Sequence, residues 1–345
     1  MTSARPTGAG LLRLTPWVIV IAIGVGVSTG NAYLLTVGIV TIIWAILATG
    51  LNLLMGYTGL IHLGLGAFYA LGAYGTAILT VNHGWPIWSM LVVMPVLGFV
   101  AAVLVGPPLL RTRGLYFAVA TLGLGIIVSD VTGNWISVTG GPLGLAGIER
   151  PAAIGAFDPS SDRYFLLMMV VILLLCVGLA SWYHRSRIAR VLVAARDDEL
   201  LASSLGFSAL PYRIFAFAAS SSMAALAGVL YAWFIRYISP PPFTFFALSF
   251  QVFVLVAVGG AGSVWGPMVG AAFLTGVPEL ISLEAHSKVI AYGVVLLAVI
   301  VLMPRGLVPS LADRARRLRR SAAAPPASKP PSTTSTRVLT GDSHT

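Results

Sequence analysis

Charge is what this sequence has least of. Of its 345 residues 9% are charged and 57% hydrophobic, with a mean hydropathy of +0.92. Soluble domains carry roughly a quarter charged residues, so the composition excludes a soluble globular protein and indicates many membrane crossings. Lysine is scarce: of 21 basic residues only Lys288 and Lys329 are lysines, and neither follows a glycine. A Gly-Lys-Ser/Thr phosphate loop is therefore absent, and any nucleotide hydrolysis must come from another chain. The single cysteine, Cys176, lies in an apolar run, which excludes a disulfide framework and a cysteine metal site. Catalytic motifs are missing as well: no HExxH, no Gly-x-Ser-x-Gly, no close His/Cys cluster and no paired acids within spans. These absences argue against an enzyme. The net charge of +10 sits at the chain ends and in a few loops, the distribution of an oriented membrane protein rather than of a nucleic-acid binder.

What is present is a series of apolar runs of membrane length. Ten are expected, at about 14–30, 33–55, 58–81, 87–109, 114–130, 164–182, 214–237, 246–262, 264–282 and 288–303. The predicted fold is thus an all-α polytopic membrane protein of about ten helices. Arg and Lys in the connections set its orientation. With residues 1–13 in the cytoplasm, the inside segments hold Arg111 and Arg113, then Arg185, Arg187, Arg190, Arg196 and Arg213, then Arg305 and Arg314 to Arg320. In the outer loop 131–163, Arg150 and Arg163 are outweighed by Glu149, Asp158 and Asp162. An even number of spans satisfies every loop and puts both termini inside. The first span has a basic start and small residues at Val27 to Gly30 but no A-x-A cleavage site, which favours a retained anchor over a signal peptide. Residues 304–345 begin with a basic run and continue rich in Pro, Ser and Thr. They read as a disordered cytoplasmic tail whose arginines hold the last helix against anionic lipid headgroups.

Two glycine-rich segments resemble each other: one from Gly56 through Gly59, His62, Gly64 and Gly66 to Phe68, the other from Gly259 through Gly262, Gly266 and Gly270 to Phe273. Paired interruptions in the two halves of a transporter suggest a weak internal repeat with the translocation pathway at its interface. The competing reading is plain helix packing, with Gly266 and Gly270 as a GxxxG contact face. Ionisable residues within spans are few. His62 is the deep one, and no chain of acids crosses the bilayer, which weighs against a proton- or sodium-driven carrier.

One polar island, Arg190 to Gly206, interrupts the apolar pattern and carries the chain's only run of adjacent acids, Asp197-Asp198-Glu199. Asp197 is expected to cap a helix of about eight residues, with Asp198 and Glu199 in its first turn. Leu200, Leu201 and Leu205 supply an apolar side, Gly206 a left-handed stop, and Pro211 forbids continuation. So short a helix is unstable alone. It either docks into a partner or is an amphipathic loop on the membrane surface.

The order of features along residues 50 to 308 resembles the permease subunits of branched-chain amino-acid ABC transporters of the LivM-like type. The matching segments are GLNLLMGYTGLIHLGLGAFYALGAY (50–74), RTRGLYFAVATLGLG (111–125), TGGPLGL (139–145), the stretch 186–232 around ARDDELLASSLG, VLVAVGGAGSVWGPMVGAAF (254–273) and MPRGLV (303–308). The resemblance implies an importer-permease fold in the bacterial inner membrane. It implies a second permease subunit, two cytoplasmic ATP-binding subunits that hydrolyse the ATP, and a periplasmic or lipid-anchored solute-binding protein, with no cofactor in this chain. It also implies that the loop 183–213 carries the coupling helix that meets the ATPase. By position the helix comprises Arg196, Asp197, Asp198, Glu199, Ala202 and Gly206, with Leu200-Leu201 and Ser203-Ser204 departing from the family pattern. Gly140, Gly141 and Pro142 fall where the binding protein would deliver solute, and the two glycine segments become walls of the pathway. Members of this family also move urea and short amides, and nothing in the sequence reads the solute. The alternative is an ion-coupled secondary carrier or channel for a small neutral solute.

Overall fold

From Ala32 to Thr58 the chain carries no charged residue and forms one unbroken helix, α1, about 40 Å long at 1.5 Å per residue. It is apolar all round because it is covered on nearly all sides, the signature of a central helix. The structure is a computed structural model that describes residues 32–276 except 113, 154 and 156. Along it follow α2 (Leu65–Ala77, extended by a π-helical turn, Ile78–Asn82), α3 (Met90–Leu109), α4 (Leu115–Asn134), the short α5 (Ile136–Thr139) and α6 (Asp162–Arg185). The paired helices α7 (Arg187–Asp197) and α8 (Glu199–Ser204) come next, then α9 (Ala209–Ile235), α10 (Phe250–Gly259, preceded by a π-turn at Phe245–Ser249) and α11 (Gly266–Ala271). Two-residue strands, β1 (Leu145–Ala146) and β2 (Tyr237–Ile238), pair antiparallel, Leu145 opposite Ile238.

Among the described residues five helices are long and apolar enough to cross a membrane: Ala32–Thr58, Ile87–Leu109, Leu115–Asn134, Asp162–Arg185 and Ala209–Ile235. They match the predicted spans at 33–55, 87–109, 114–130, 164–182 and 214–237. Phe245–Gly259 and Gly266–Thr275 are shorter apolar helices. The expected span at 58–81 needs correcting. Residues 59–64 are not helical, and the helix begins only at Leu65, because the chain breaks after Thr58 and packs its backbone tightly before helix can resume. The expected spans 14–30 and 288–303, the end of 264–282 and the two termini lie outside the described residues.

The packing follows membrane rather than aqueous logic. On α3 the buried stripe is Met90, Met94, Gly98, Ala102 and Gly106, while Val92, Val96, Val100 and Leu104 are exposed. With lipid as apolar as leucine, helices associate through small residues that let backbones approach. The second central helix, α9, packs on α1, α2 and α3 through a buried face rich in Ala, Ser and Gly. At its crossing with α2, a Cβ on Gly72 would strike the Ala225 carbonyl, and one on Gly228 the Tyr69 carbonyl.

Segments that the charge pattern assigns to one side of the membrane meet one another. Strand β1, in the loop 131–163 expected to lie outside, pairs with β2, which follows α9. The opposite end gathers the end of α1, the loop 260–265 and α7. Within the loop 131–163 the guanidinium of Arg150 is answered by Asp162 at 2.7 Å and lies 4.6 Å over the Phe165 ring.

Candidate functional site

The polar island folds as two helices rather than one. Ser186 starts α7, its hydroxyl accepting from the Ala189 N–H at 3.2 Å. The helix runs through Asp197, and the backbone turns extended at Asp198 (φ −152°, ψ 104°). The cap of α8 is therefore Asp198, not Asp197: its carboxylate accepts from the Leu201 N–H at 2.9 Å. The register shifts by one because α7 uses Asp197 as its own last residue, and only the extended Asp198 can reach back over the first turn. At the other end Gly206 has φ +84°. The Phe207 N–H bonds to the Ala202 carbonyl at 3.1 Å and the Gly206 N–H to Ser203 at 2.9 Å, the paired bonds of a Schellman stop that needs glycine at the left-handed position. Ser203 and Ser204 both donate to the Leu200 carbonyl, so their hydroxyls bond α8's own backbone.

Ala195, Ala202 and Ala209 form a small core that joins α7, α8 and the start of α9. Glu199 and Arg213 add a two-pronged ion pair, Nη1–Oε1 at 3.1 Å and Nη2–Oε2 at 3.2 Å. Fixed in this way, α8 presents Leu200, Leu201 and Leu205 to the outside, 80%, 60% and 69% exposed. Beside them a cleft of about 410 Å³ is lined by Val191, Ala194, Ala202, Leu205 and Phe207, with Arg187 and Arg190.

Two features of this end were not legible in the sequence. Asn52, buried in α1, donates to the Ser263 carbonyl and accepts from the Gly262 N–H, both at 2.8 Å. An amide in an apolar run is a signal in itself, since it is costly there without partners, but nothing in the sequence names those partners. Arg196 turns away from α8, and its Nη1 donates to the Gly56 carbonyl at 3.0 Å.

The seven residues expected to line the pathway divide between the two glycine segments. Gly59 faces the Arg196 side chain, Gly64 abuts the Thr121 backbone, and Gly66 the Phe243 carbonyl. His62 has no exposed surface and is ringed by Phe217 (centroids 4.9 Å apart), Phe68 (5.9 Å) and Phe117 (6.4 Å). Gly266 and Gly270 pack back on α10, against Gly259–Gly260 and Leu255. The two segments touch at one point, where a Cβ on Gly56 would lie 2.6 Å from the Gly262 nitrogen.

At the end of the bundle away from α8, Gly140, Gly141 and Pro142 share a tight turn after α5, and Leu143 projects from it, 83% exposed. The Tyr237 hydroxyl holds the turn by donating to the Leu143 carbonyl at 2.8 Å. Gly144 has φ +69°, and a Cβ there would strike the Ile238 carbonyl. Gly144→Ala should therefore undo the Leu145–Ile238 pairing and speed protease cleavage of the 131–163 loop, while the helices stay assembled. Unchanged digestion kinetics would contradict it.

Among the described residues no group of His, Cys, Asp and Glu could hold a metal ion. The arrangement offers a packed helical bundle with an apolar, rigidly mounted helix at one end. The family described as "Branched-chain amino acid transport system / permease component" matches residues 33–304. The chain belongs to that family. It is 33% identical over 306 residues to the high-affinity branched-chain amino acid transport system permease protein LivM of Escherichia coli (strain K12), covering 82% of this chain and 71% of the relative. It is 24% identical to LivH of the same organism, over 82% of this chain and 93% of the relative. With the autoinducer 2 import system permease protein LsrC of Salmonella paratyphi B it shares 30% identity over 60% of this chain and 58% of the relative. No solved structure matches the chain. The protein is a multi-pass membrane protein and a permease subunit of an ABC importer.

Proposed function

We propose that this permease carries branched-chain amino acids or a closely related small solute, and that α8 is the element through which separate ATPase subunits drive it. The observation that carries the coupling role is the mounting of α8. A six-residue helix cannot persist by itself, yet this one is capped at both ends, fixed by an alanine core and an ion pair, and turns three leucines outward. An exposed apolar face on a rigid mount is a docking surface. The charge pattern of the loops puts it in the cytoplasm, with both termini, in a bundle of about ten spans in the inner membrane.

The relatives LivM and LivH support a second permease subunit as the partner across the pathway, with a solute-binding protein meeting the Gly140–Pro142 turn. The glycine segments, as a weak internal repeat, form a backbone wall of that pathway. ATP is used by the partner subunits, and this chain holds no cofactor. An ion-coupled carrier would need a relay, and His62, enclosed by phenylalanines, favours packing.

The test is Leu200→Glu with Leu201→Glu in the intact transporter, isolated by a tag on this chain. The ATPase subunits should no longer co-purify, and uptake of labelled leucine into cells should fall to background while the chain accumulates normally. Retained co-purification and uptake would sink the coupling role.

A further inference from the structure

The C-terminal turn of α1 is where the molecule's separate parts are tied together. Asn52 and Gly56 lie one turn apart on the same face of that helix. Asn52 grips the second glycine segment with both halves of its amide, at Gly262 and Ser263. Gly56, lacking a side chain, lets that segment's backbone come into contact. Its carbonyl belongs to the last turn, where helix carbonyls have no intrahelical partner. Arg196 supplies one, and brings a positive charge to the negative end of the helix dipole. Arg196 sits two residues before the cap of α8. The neighbouring Tyr57 hydroxyl meets Nδ1 of His184, at the end of α6, at 2.8 Å.

We infer that Asn52 and Arg196 form a transmission latch. Arg196 delivers displacement of the α7–α8 pair to the end of α1, and Asn52 passes it to the loop 260–265, so the two glycine segments move together. Neither residue touches the solute or the ATPase; both act as positioning residues. The inference rests on the reading of α8 as the ATPase contact, which determines what pushes on α7–α8. Its physical basis is the shortness of the path. The Arg196–Gly56 hydrogen bond ties α7 to the end of α1, on which α7 also packs, and the Asn52 amide ties the packed second segment to the same turn. Each bond is made to a backbone atom, so a shift at one end moves main chain at the other rather than swinging a free side chain.

The experiment uses the intact transporter in proteoliposomes, measuring labelled leucine moved per ATP hydrolysed. Asn52→Ala and Arg196→Gln should each keep the ATPase subunits bound and hydrolysis near wild type while leucine per ATP falls about tenfold. The double variant should fall no further than the singles, because both lie on one link. Asn52→Asp keeps the acceptor for Gly262 and loses the donor to Ser263, so it should give an intermediate ratio. It also keeps the test open if the alanine variant fails to assemble. A wild-type ratio in Asn52→Asp or Arg196→Gln, or fully additive losses in the double variant, would overturn the latch. Loss of it alone leaves the importer reading standing. That reading fails separately if the ATPase subunits do not co-purify with the wild-type chain.

Discussion

Glu199→Arg is expected to abolish solute uptake and ATPase association while the protein continues to accumulate in the membrane. The bidentate pair with Arg213 is part-exposed, so by itself it contributes about 1 kcal/mol. Reversal does more than remove it, because it sets two guanidinium groups against each other at a site where both carboxylate oxygens were used. With only six residues and a three-alanine core behind it, α8 has little else to hold its angle. A loss of roughly 1.4 kcal/mol lowers the docked population about tenfold. The charge exchange Glu199→Arg with Arg213→Glu should recover much of the association, since the pair is intramolecular. Co-purified ATPase and leucine uptake in the three variants check this, and wild-type uptake in Glu199→Arg would refute it. The prediction changes how the acidic island is understood. Glu199 mounts the helix, and in the proposed function the leucines beside it make the contact.

Gly72→Val should be the most damaging single substitution in the bundle, with little or no folded protein recovered. At this position α2 and α9 approach so closely that a Cβ would strike the Ala225 main chain. A side-chain neighbour could rotate away; a helix backbone cannot. Overpacking a core costs about 1–3 kcal/mol when side chains absorb it, and separating two central helices costs more. Gly123→Ala is the matching control. A Cβ there meets nothing within 4 Å, and alanine favours helix by about 1 kcal/mol over glycine. Size-exclusion profiles of the detergent-solubilised variants separate the outcomes: a monodisperse Gly72→Val protein would show that the close crossing is dispensable.

Among the glycines expected to line the pathway, the sequence drew attention to Gly266 and Gly270, whose GxxxG spacing is visible in one dimension. They pack on their own hairpin, against α10. The close crossing of α2 with α9 is made by Gly72 and Gly228 instead, which no local spacing connects because the two glycines are more than 150 residues apart in the chain. The break after Thr58 falls in the glycine-rich segment read as an interruption, yet the expected span at 58–81 ran through it because hydropathy registers burial rather than helical continuity. In the island, composition and turn chemistry anticipated the helix, its leucine face and its stop at Gly206. The cap moved one residue because whether Asp197 or Asp198 leaves the preceding helix depends on where that helix began, at Ser186.

The sequence by itself determined the membrane class, the family and the place of the polar island in the chain. All of these follow from local quantities: transfer free energy summed over a run and motifs in order. Only the tertiary structure decided that Arg196 turns inward to Gly56, that Glu199 is held by Arg213, and that Asn52 joins α1 to the second glycine segment across 210 residues of chain. A hydrogen bond or a backbone contact is a relation between two positions. Its energy depends on their meeting in space, and only the folded chain brings them together.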